Sequence, residues 1–111
     1  MRHSFTAVLS RNERLIDEFD TEPYEVGWAQ EARVFIHVLE MSLADSPWDL
    51  KIQISPDGLF WCDLETEALS FKNPGLYTKL FTGFGNWVRI TGKAKKKDSM
   101  LRPIIYLALK E

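Results

Sequence analysis

The alternation of apolar and polar residues is clearest between Trp48 and Leu64, where it predicts a β-hairpin. Pro56-Asp57-Gly58 suits a three-residue loop, because proline presets φ at the first turn position and glycine accepts the positive φ that closes the loop with a bulge. The sequence therefore predicts two antiparallel arms that meet at this loop.

Counting outward from that loop places apolar side chains on one face of the hairpin and polar ones on the other. The expected apolar pairs are Ile54–Phe60, Ile52–Cys62 and Leu50–Leu64, and the expected pairs on the other face are Gln53–Trp61 and Lys51–Asp63. A slip by one residue would mix the two faces, so the pattern specifies a register. Cys62 is then expected to be a small buried hydrophobe.

The same alternation predicts strands elsewhere in the chain. These segments are 4–10, 13–19, 24–42, 68–71, 76–82, 86–94 and 101–110, and one helical turn is the alternative for 13–19. Within the longest of them, one face is wholly apolar, with Ala32, Val34, Ile36 and Val38. Short strands separated by regular turn signals favour an all-β, antiparallel β-sandwich of eight or nine strands, formed as one domain over residues 1–111. The predicted core contains Val34, Ile36, Ile52, Ile54, Phe60 and Val88.

Composition narrows the range of partners. The net charge is −2 over 111 residues, with acidic residues spread along the chain, so nucleic acid and membrane surfaces are not expected partners. No apolar run has the length of a signal peptide or a membrane span. The expected location is soluble, either cytoplasmic or associated with a virion or particle.

Few residues suit catalysis or metal binding. The chain has two histidines, His3 and His37, and one cysteine, which are too few partners for a nucleophile–base pair or a zinc site. We expect His37 to be a hydrogen-bonded histidine at the edge of the core. Gly83-Phe84-Gly85 lies between two predicted strands and indicates a bulge rather than a phosphate site. No catalytic residue, metal or cofactor is predicted.

Charged residues form two local groups. The carboxylates are Asp57, Asp63, Glu65 and Glu67, and the basic group is Lys93, Lys95, Lys96 and Lys97. The carboxylates lack the spacing of a calcium loop and are interpreted as solvated charge on a strand face. The lysines are interpreted as a solvated loop tip that opposes aggregation, with contact to phosphate or to an acidic protein surface as the alternative.

Several large side chains remain after the inward faces are filled. Trp61, Trp87 and Arg89 fall on outward faces, as do Phe35 and Met41 on the opposite face of the long strand. Exposed tryptophan on a β-sandwich is typical of sugar stacking or of a protein interface. Burial of the two tryptophans under the N-terminal segment or a second sheet is the alternative. These five residues are therefore the predicted interface or ligand platform.

Two motifs resemble known protein families. Ser55-Pro-Asp-Gly58 followed by Trp61 resembles the Asp-box turn of sialidases, although it lacks the residue between Asp and Gly. With the strand 32–41 before it and Gly83-Phe-Gly-Asn-Trp-Val-Arg89 after it, the chain is more similar to small jelly-roll-like sandwiches of phage and phage-derived particles. The likeness extends over about residues 25–110. It implies a structural or self-assembling subunit and supplies no catalytic residues.

The expected function is accordingly a non-enzymatic structural, assembly or protein-interaction subunit of a phage-like particle. Its expected partner is a further copy of the chain or a larger protein assembly. The alternative is a carbohydrate-binding module that binds a glycan through Trp61 and Trp87.

Overall fold

The computed structural model describes residues 4–42 and 46–111, and these residues form two antiparallel sheets. Eleven strands occur in the described ranges: β1 (Ser4–Arg11), β2 (Leu15–Ile16), β3 (Glu18–Asp20), β4 (Tyr24–Glu25), β5 (Glu31–Met41), β6 (Trp48–Ser55), β7 (Cys62–Asp63), β8 (Leu69–Phe71), β9 (Gly75–Phe81), β10 (Trp87–Ala94) and β11 (Met100–Lys110). Between the predicted strand 24–42 and Trp48, the sequence predicts a turn over 43–47, of which residues 43–45 lie outside the described residues. Within the described part, no helix has the length and apolar character needed to cross a membrane.

The two sheets pack face to face as a β-sandwich, which confirms the predicted fold class. Sheet A has the order β1-β11-β5-β9, with β2 attached to β11. Sheet B has the order β3-β10-β6-β7, with β4 attached to β10 and β8 to β6. The strand number exceeds the predicted eight or nine because the segments 13–19 and 24–42 each contain two strands.

The core lies between the inward faces of the two sheets. Alternate residues of β5 and β11 from sheet A meet alternate residues of β6 and β10 from sheet B. Val34, Ile36, Ile52 and Val88 are buried, as predicted, and Ile54 packs partly against them. A strand with period-two alternation buries one face whichever neighbour it pairs with, and for this reason these predictions hold.

The predicted hairpin pairing is wrong. The long partner of β6 is β10, with a ladder that runs from Trp87 opposite Ser55 to Ala94 opposite Trp48. The chain that returns after the turn contributes only the short strands β7 and β8 to β6. In β7, Ile54 pairs with Cys62 and Gln53 with Asp63. The register is thus two residues further along than predicted. Because the shift is even, the polar face is preserved, and Lys51 Nζ still lies 3.8 Å from Asp63 Oδ2.

Side-chain hydrogen bonds explain the longer loop. Ser55 Oγ accepts the backbone N–H groups of Asp57 and Gly58, at 3.2 and 2.8 Å. Asp57 Oδ1 accepts those of Leu59 and Phe60, at 2.9 and 3.1 Å. These donors are satisfied within the turn and are not available to a strand ladder, so the loop continues to residue 61.

Three burial predictions fail as a result of this topology. Phe60 belongs to the loop and is 78% exposed, so it is not a core residue. Cys62 lies in the two-residue strand β7 at the edge of sheet B and is an exposed free cysteine. His37 points outward from sheet A and is exposed rather than at the edge of the core.

Strand β3 pairs with β10 where the aromatic ring of Phe19 lies over Gly92. Gly92 pairs directly with Phe19, and a Cβ added at Gly92 would lie 2.1 Å from Phe19 Cε1. The ring of Phe19 is also 6.0 Å from that of the buried Trp48. The absence of a side chain at Gly92 therefore gives Phe19 its place on the sheet.

The revised register predicts very different costs for two truncations. We expect Ile52→Ala to lower the free energy of unfolding by about 2–5 kcal/mol, because it leaves a cavity in the core. Phe60→Ala, which removes a larger but exposed side chain, should change it by less than about 0.5 kcal/mol. Urea denaturation followed by circular dichroism measures both, and a larger loss for Phe60→Ala would contradict the loop assignment.

Candidate functional site

The outer face of sheet B carries the predicted tryptophan residues. Along the β6–β10 ladder, Trp87 lies opposite Ser55 and Arg89 lies opposite Gln53. Trp61 immediately precedes β7, next to these two strands. The structure thus brings Trp61, Trp87 and Arg89 to one end of sheet B, and we call this surface the tryptophan platform.

Arg89 is fixed at the centre of the tryptophan platform. Its Nε donates to Gln53 Oε1 at 2.8 Å, and Gln53 Nε2 donates to Asp63 Oδ1 at 3.0 Å. Its Nη1 lies 3.9 Å from Asp20 Oδ2, and its Cζ lies 4.6 Å from the centre of the Trp61 ring. The guanidinium therefore covers one face of Trp61 by a cation–π contact and orients the ring.

The turn after β6 covers the other tryptophan of the platform. Gly58 has φ of 79°, and a Cβ added there would lie 3.4 Å from two ring atoms of Trp87. The turn thus packs on the Trp87 ring and leaves it half-buried. Trp61 is likewise half-buried, and Arg89 covers one face of its ring, so the opposite face of Trp61 is the one that a ligand could stack on.

Asp57 stabilises this turn in its ionised form. The backbone N–H groups of Leu59 and Phe60 donate to its carboxylate and lower the pKa of Asp57 below its ordinary value of 3.8. The carboxylate is therefore charged at neutral pH, and its hydrogen bonds hold Leu59 and Phe60 at the loop tip, where both are exposed.

The predicted basic residues lie at the other end of β10. Lys93 belongs to the strand, and Lys95, Lys96 and Lys97 follow it in an exposed loop. Lys95 Nζ lies 3.9 Å from Asp49 Oδ2. The lysines are therefore separated from the tryptophan platform by the length of the strand.

The five predicted platform residues do not form one surface. Phe35 points outward from β5 in sheet A, and Met41, at the end of the same strand, packs partly against the core. The alternation along β5 gave the side of Phe35 correctly but not the sheet to which the strand belongs. The predicted outward position of Met41 is wrong, because the β5–β11 pairing shifts register between Arg102 and Pro103 and places Met41 opposite the buried Leu101.

Metal binding has no support in the described residues. They contain no group of three or more histidine, cysteine, aspartate or glutamate side chains placed to hold a metal ion. Asp57, Asp63, Glu65 and Glu67 are exposed.

An apolar outer face on sheet A was not singled out from the sequence. Outward residues align across all four long strands, as in the row Val8–Tyr106–Phe35–Thr78. We call the outward apolar side chains of this sheet the apolar face: Val8, Phe35, Leu76, Leu80, Ile104 and Tyr106. Leu76 is 65% exposed and Leu80 is 50% exposed. The sequence signal was the presence of apolar residues on both sides of β5, β9 and β11.

A second unpredicted feature is a groove of about 710 Å³ near the start of β1. Three aromatic side chains line it: Phe5, Tyr24 and Trp28. The rings of Phe5 and Tyr24 stack with their centres 6.2 Å apart. We call this feature the aromatic groove. Its residues come from three separate segments, so no local motif could indicate it.

Comparison with known proteins identifies the fold but no family. No protein-family model and no curated protein matches the sequence. Among solved structures, PBSX exported protein XepA superposes with a TM-score of 0.68 at 14% identity, over 95% of this chain and 36% of that one. The chain thus spans about a third of XepA.

Two further structures share the fold. The SPBc2 prophage-derived protein YomS has a TM-score of 0.63 at 13% identity, over 100% of this chain and 96% of that one. The CBM22-1–GH10 modules of Clostridium thermocellum endo-1,4-β-D-xylanase 10B, complexed with xylohexaose, give 0.51 at 7% identity, over 80% of this chain and 19% of that one. These similarities establish a shared β-sandwich.

The effect of the contact between the turn and Trp87 can be measured separately from the backbone cost of replacing a glycine that has positive φ. Gly58 and Gly83 both have positive φ, 79° and 72°, but nothing lies within 4 Å of a Cβ added at Gly83. We expect Gly58→Ala and Gly83→Ala each to cost about 1 kcal/mol. Only Gly58→Ala should also alter the near-ultraviolet circular dichroism of the tryptophans. Equal spectra for the two variants would contradict the contact.

Proposed function

We propose that the protein is a non-enzymatic structural subunit of a phage-like particle, and that it assembles with copies of itself through the apolar face of sheet A. The observation that carries this proposal is the exposure of Leu76, Leu80 and Val8 beside the half-buried Phe35 and Tyr106. Arg33, His37 and Thr78 lie among these apolar side chains. Large exposed apolar side chains grouped on one sheet face are typical of protein interfaces.

The apolar face is suited to contact with a second copy. Its polar residues include Arg33, whose Nη1 donates to Thr78 Oγ1, and Thr78 Oγ1 in turn donates to the carbonyl of Val34. A second copy can therefore cover these polar groups, because part of their hydrogen bonding is already satisfied within the sheet. The same patch on two copies forms an isologous interface, which closes by two-fold symmetry.

The size of this face is adequate for association. Four strands about 4.8 Å apart, with about seven residues each at ~3.4 Å, give a sheet of roughly 19 by 24 Å. Two such faces together cover roughly 900 Å² in projection, close to the ~1,000 Å² expected of a biological interface. Burial of apolar area at about 25 cal/mol per Å² would then stabilise the pair.

The phage-like context rests on the fold. YomS, a prophage-derived protein, shares the sandwich over almost its entire chain, so a domain of this size and architecture occurs in a protein of phage origin. This similarity supports the phage-like setting of the proposal, and the structural role rests on the apolar face.

Assembly through the apolar face can be tested with two matched double variants. Leu76→Glu with Leu80→Glu places two charges on the apolar face, whereas Leu59→Glu with Phe60→Glu places the same charges at the exposed loop tip of sheet B. We expect the wild type and the loop variant to have the same oligomeric mass. The variant with charges on the apolar face should have a lower mass, because unpaired charges cannot be buried in the interface.

Light scattering coupled to size exclusion measures the mass of each variant, and thermal denaturation confirms that each one folds. A wild type that is monomeric at tens of micromolar would overturn the proposal. So would a folded face variant that keeps the wild-type mass.

A second candidate function is glycan binding at the tryptophan platform. Trp61 offers a ring surface, and Arg89, Gln53 and Asp63 beside it offer donors and acceptors of the kind that sugar hydroxyls require. The platform is on the sheet opposite to the apolar face, so a glycan and a second copy could be bound together.

Glycan binding predicts a specific dependence on Trp61. A glycan-array screen identifies glycans that the wild-type protein binds, and titration calorimetry measures their affinity. We expect Trp61→Ala to weaken that affinity by about ten-fold or more, because ring stacking is lost. Phe60→Ala removes an exposed aromatic from the same loop and serves as the control. Equal affinity in the two variants would exclude the platform as the glycan site.

A further inference from the structure

The charged side chains that line the aromatic groove, within the described part of the chain, are acidic. Its charged lining residues among those described are Glu25 and Glu111, beside the rings of Phe5, Tyr24 and Trp28. Aromatic faces attract cations through the negative face of the ring, and a nearby carboxylate adds to that attraction. The chemistry of the groove therefore favours a positively charged group.

The groove is held in shape by its backbone. Glu25 Oε1 accepts the N–H of Gly27 at 2.9 Å, and the N–H of Ala29 donates to the carbonyl of Val26 at 2.9 Å. The N–H of Val26 donates to the carbonyl of Asn86 at 2.7 Å. The segment that carries Trp28 is thus ordered before any ligand arrives, which reduces the entropic cost of binding.

The lysine loop, residues 95–97, is cationic, and hydrogen bonds fix its backbone as they fix that of the aromatic groove. Ser99 Oγ donates to the carbonyl of Lys96 at 2.7 Å, and the N–H of Lys95 donates to the carbonyl of Pro47 at 3.0 Å. Lys96 and Lys97 are exposed and form no ion pair with a residue in the described ranges. Their ammonium groups are therefore presented to solvent on a fixed backbone.

The groove and the loop lie at opposite ends of the molecule. Glu25 pairs with Trp87, the first residue of β10, whereas Lys95 follows Ala94, the last residue of that strand. Eight residues at about 3.3 Å each separate the two features by roughly 25 Å, so they cannot meet within one chain.

We propose that the aromatic groove of one copy binds the lysine loop of a second copy, so that copies join end to end. The contact pairs Lys96 and Lys97 with Glu25 and the rings of Tyr24 and Trp28. Because the two surfaces differ, the interface is heterologous and generates either a closed ring or a filament. The inference rests on the proposed assembly but uses surfaces separate from the apolar face.

Charge reversal provides the test. Glu25→Lys makes both ends of a copy basic, and Lys96→Glu with Lys97→Glu makes both ends acidic. We expect each variant alone to lose end-to-end assembly, with a dissociation constant raised at least about ten-fold. An equimolar mixture should recover it, because each groove then meets a loop of opposite charge. Light scattering and sedimentation velocity at low and high salt measure both effects.

The outcomes separate the two proposals. If each charge-reversed variant alone keeps the wild-type mass, or if the mixture does not recover assembly, the groove–loop contact is overturned. If only the Leu76→Glu, Leu80→Glu variant changes mass, the apolar face alone is the interface. Should Glu25→Lys fail to fold, Glu25→Gln retains an acceptor for Gly27 and must weaken assembly in the same direction.

Discussion

The antiparallel pairing of β6 with β10 is the constraint on which the rest of sheet B depends. Eight residues of each strand are in register, and this ladder sends Ile52 and Ile90 into the core while it sends Gln53 and Arg89 outward. The short strands β3 and β4 attach to β10, and β7 and β8 attach to β6, so none of the four has a place without the ladder. Side chains on its outer face create the tryptophan platform, and its two ends separate the aromatic groove from the lysine loop.

Much of the fold follows from alternation alone, and the failures share one physical cause. Period-two patterning determines which face of a strand is apolar, and this was sufficient for Val34, Ile36, Ile52 and Val88. It does not determine the neighbouring strand, because any apolar-faced strand offers the same set of backbone donors and acceptors. The turn at Pro56 indicated a local partner, but Ser55 and Asp57 bind the backbone groups that a tight hairpin would need, and β10 pairs with β6 over its whole length.

The candidate sites also differ in whether alternation along one strand or the arrangement of neighbouring strands determines them. Trp61, Trp87 and Arg89 could each be assigned to an outward face from sequence, and Trp87 and Arg89 alternate on one strand. That Trp61 lies on the same face, across β6, follows only from the strand order β10-β6-β7. Phe35 could not be excluded from that group, since a strand pattern does not reveal its sheet. Met41 was misplaced because the register of β5 with β11 shifts before it. The aromatic groove combines residues from distant segments, and the apolar face is visible only when four strands are set side by side. Such surfaces depend on long-range topology that no local pattern contains.

The ring of Phe19 over Gly92 has a consequence for how such a sequence can diverge. Any side chain at position 92 collides with that ring, and a smaller residue at position 19 alone would uncover part of Trp48. A substitution at either position is therefore unfavourable unless the other position also changes. A larger residue at position 92 is compatible with this sheet only together with a smaller residue at position 19, so that a packing contact between two strands restricts two positions at once.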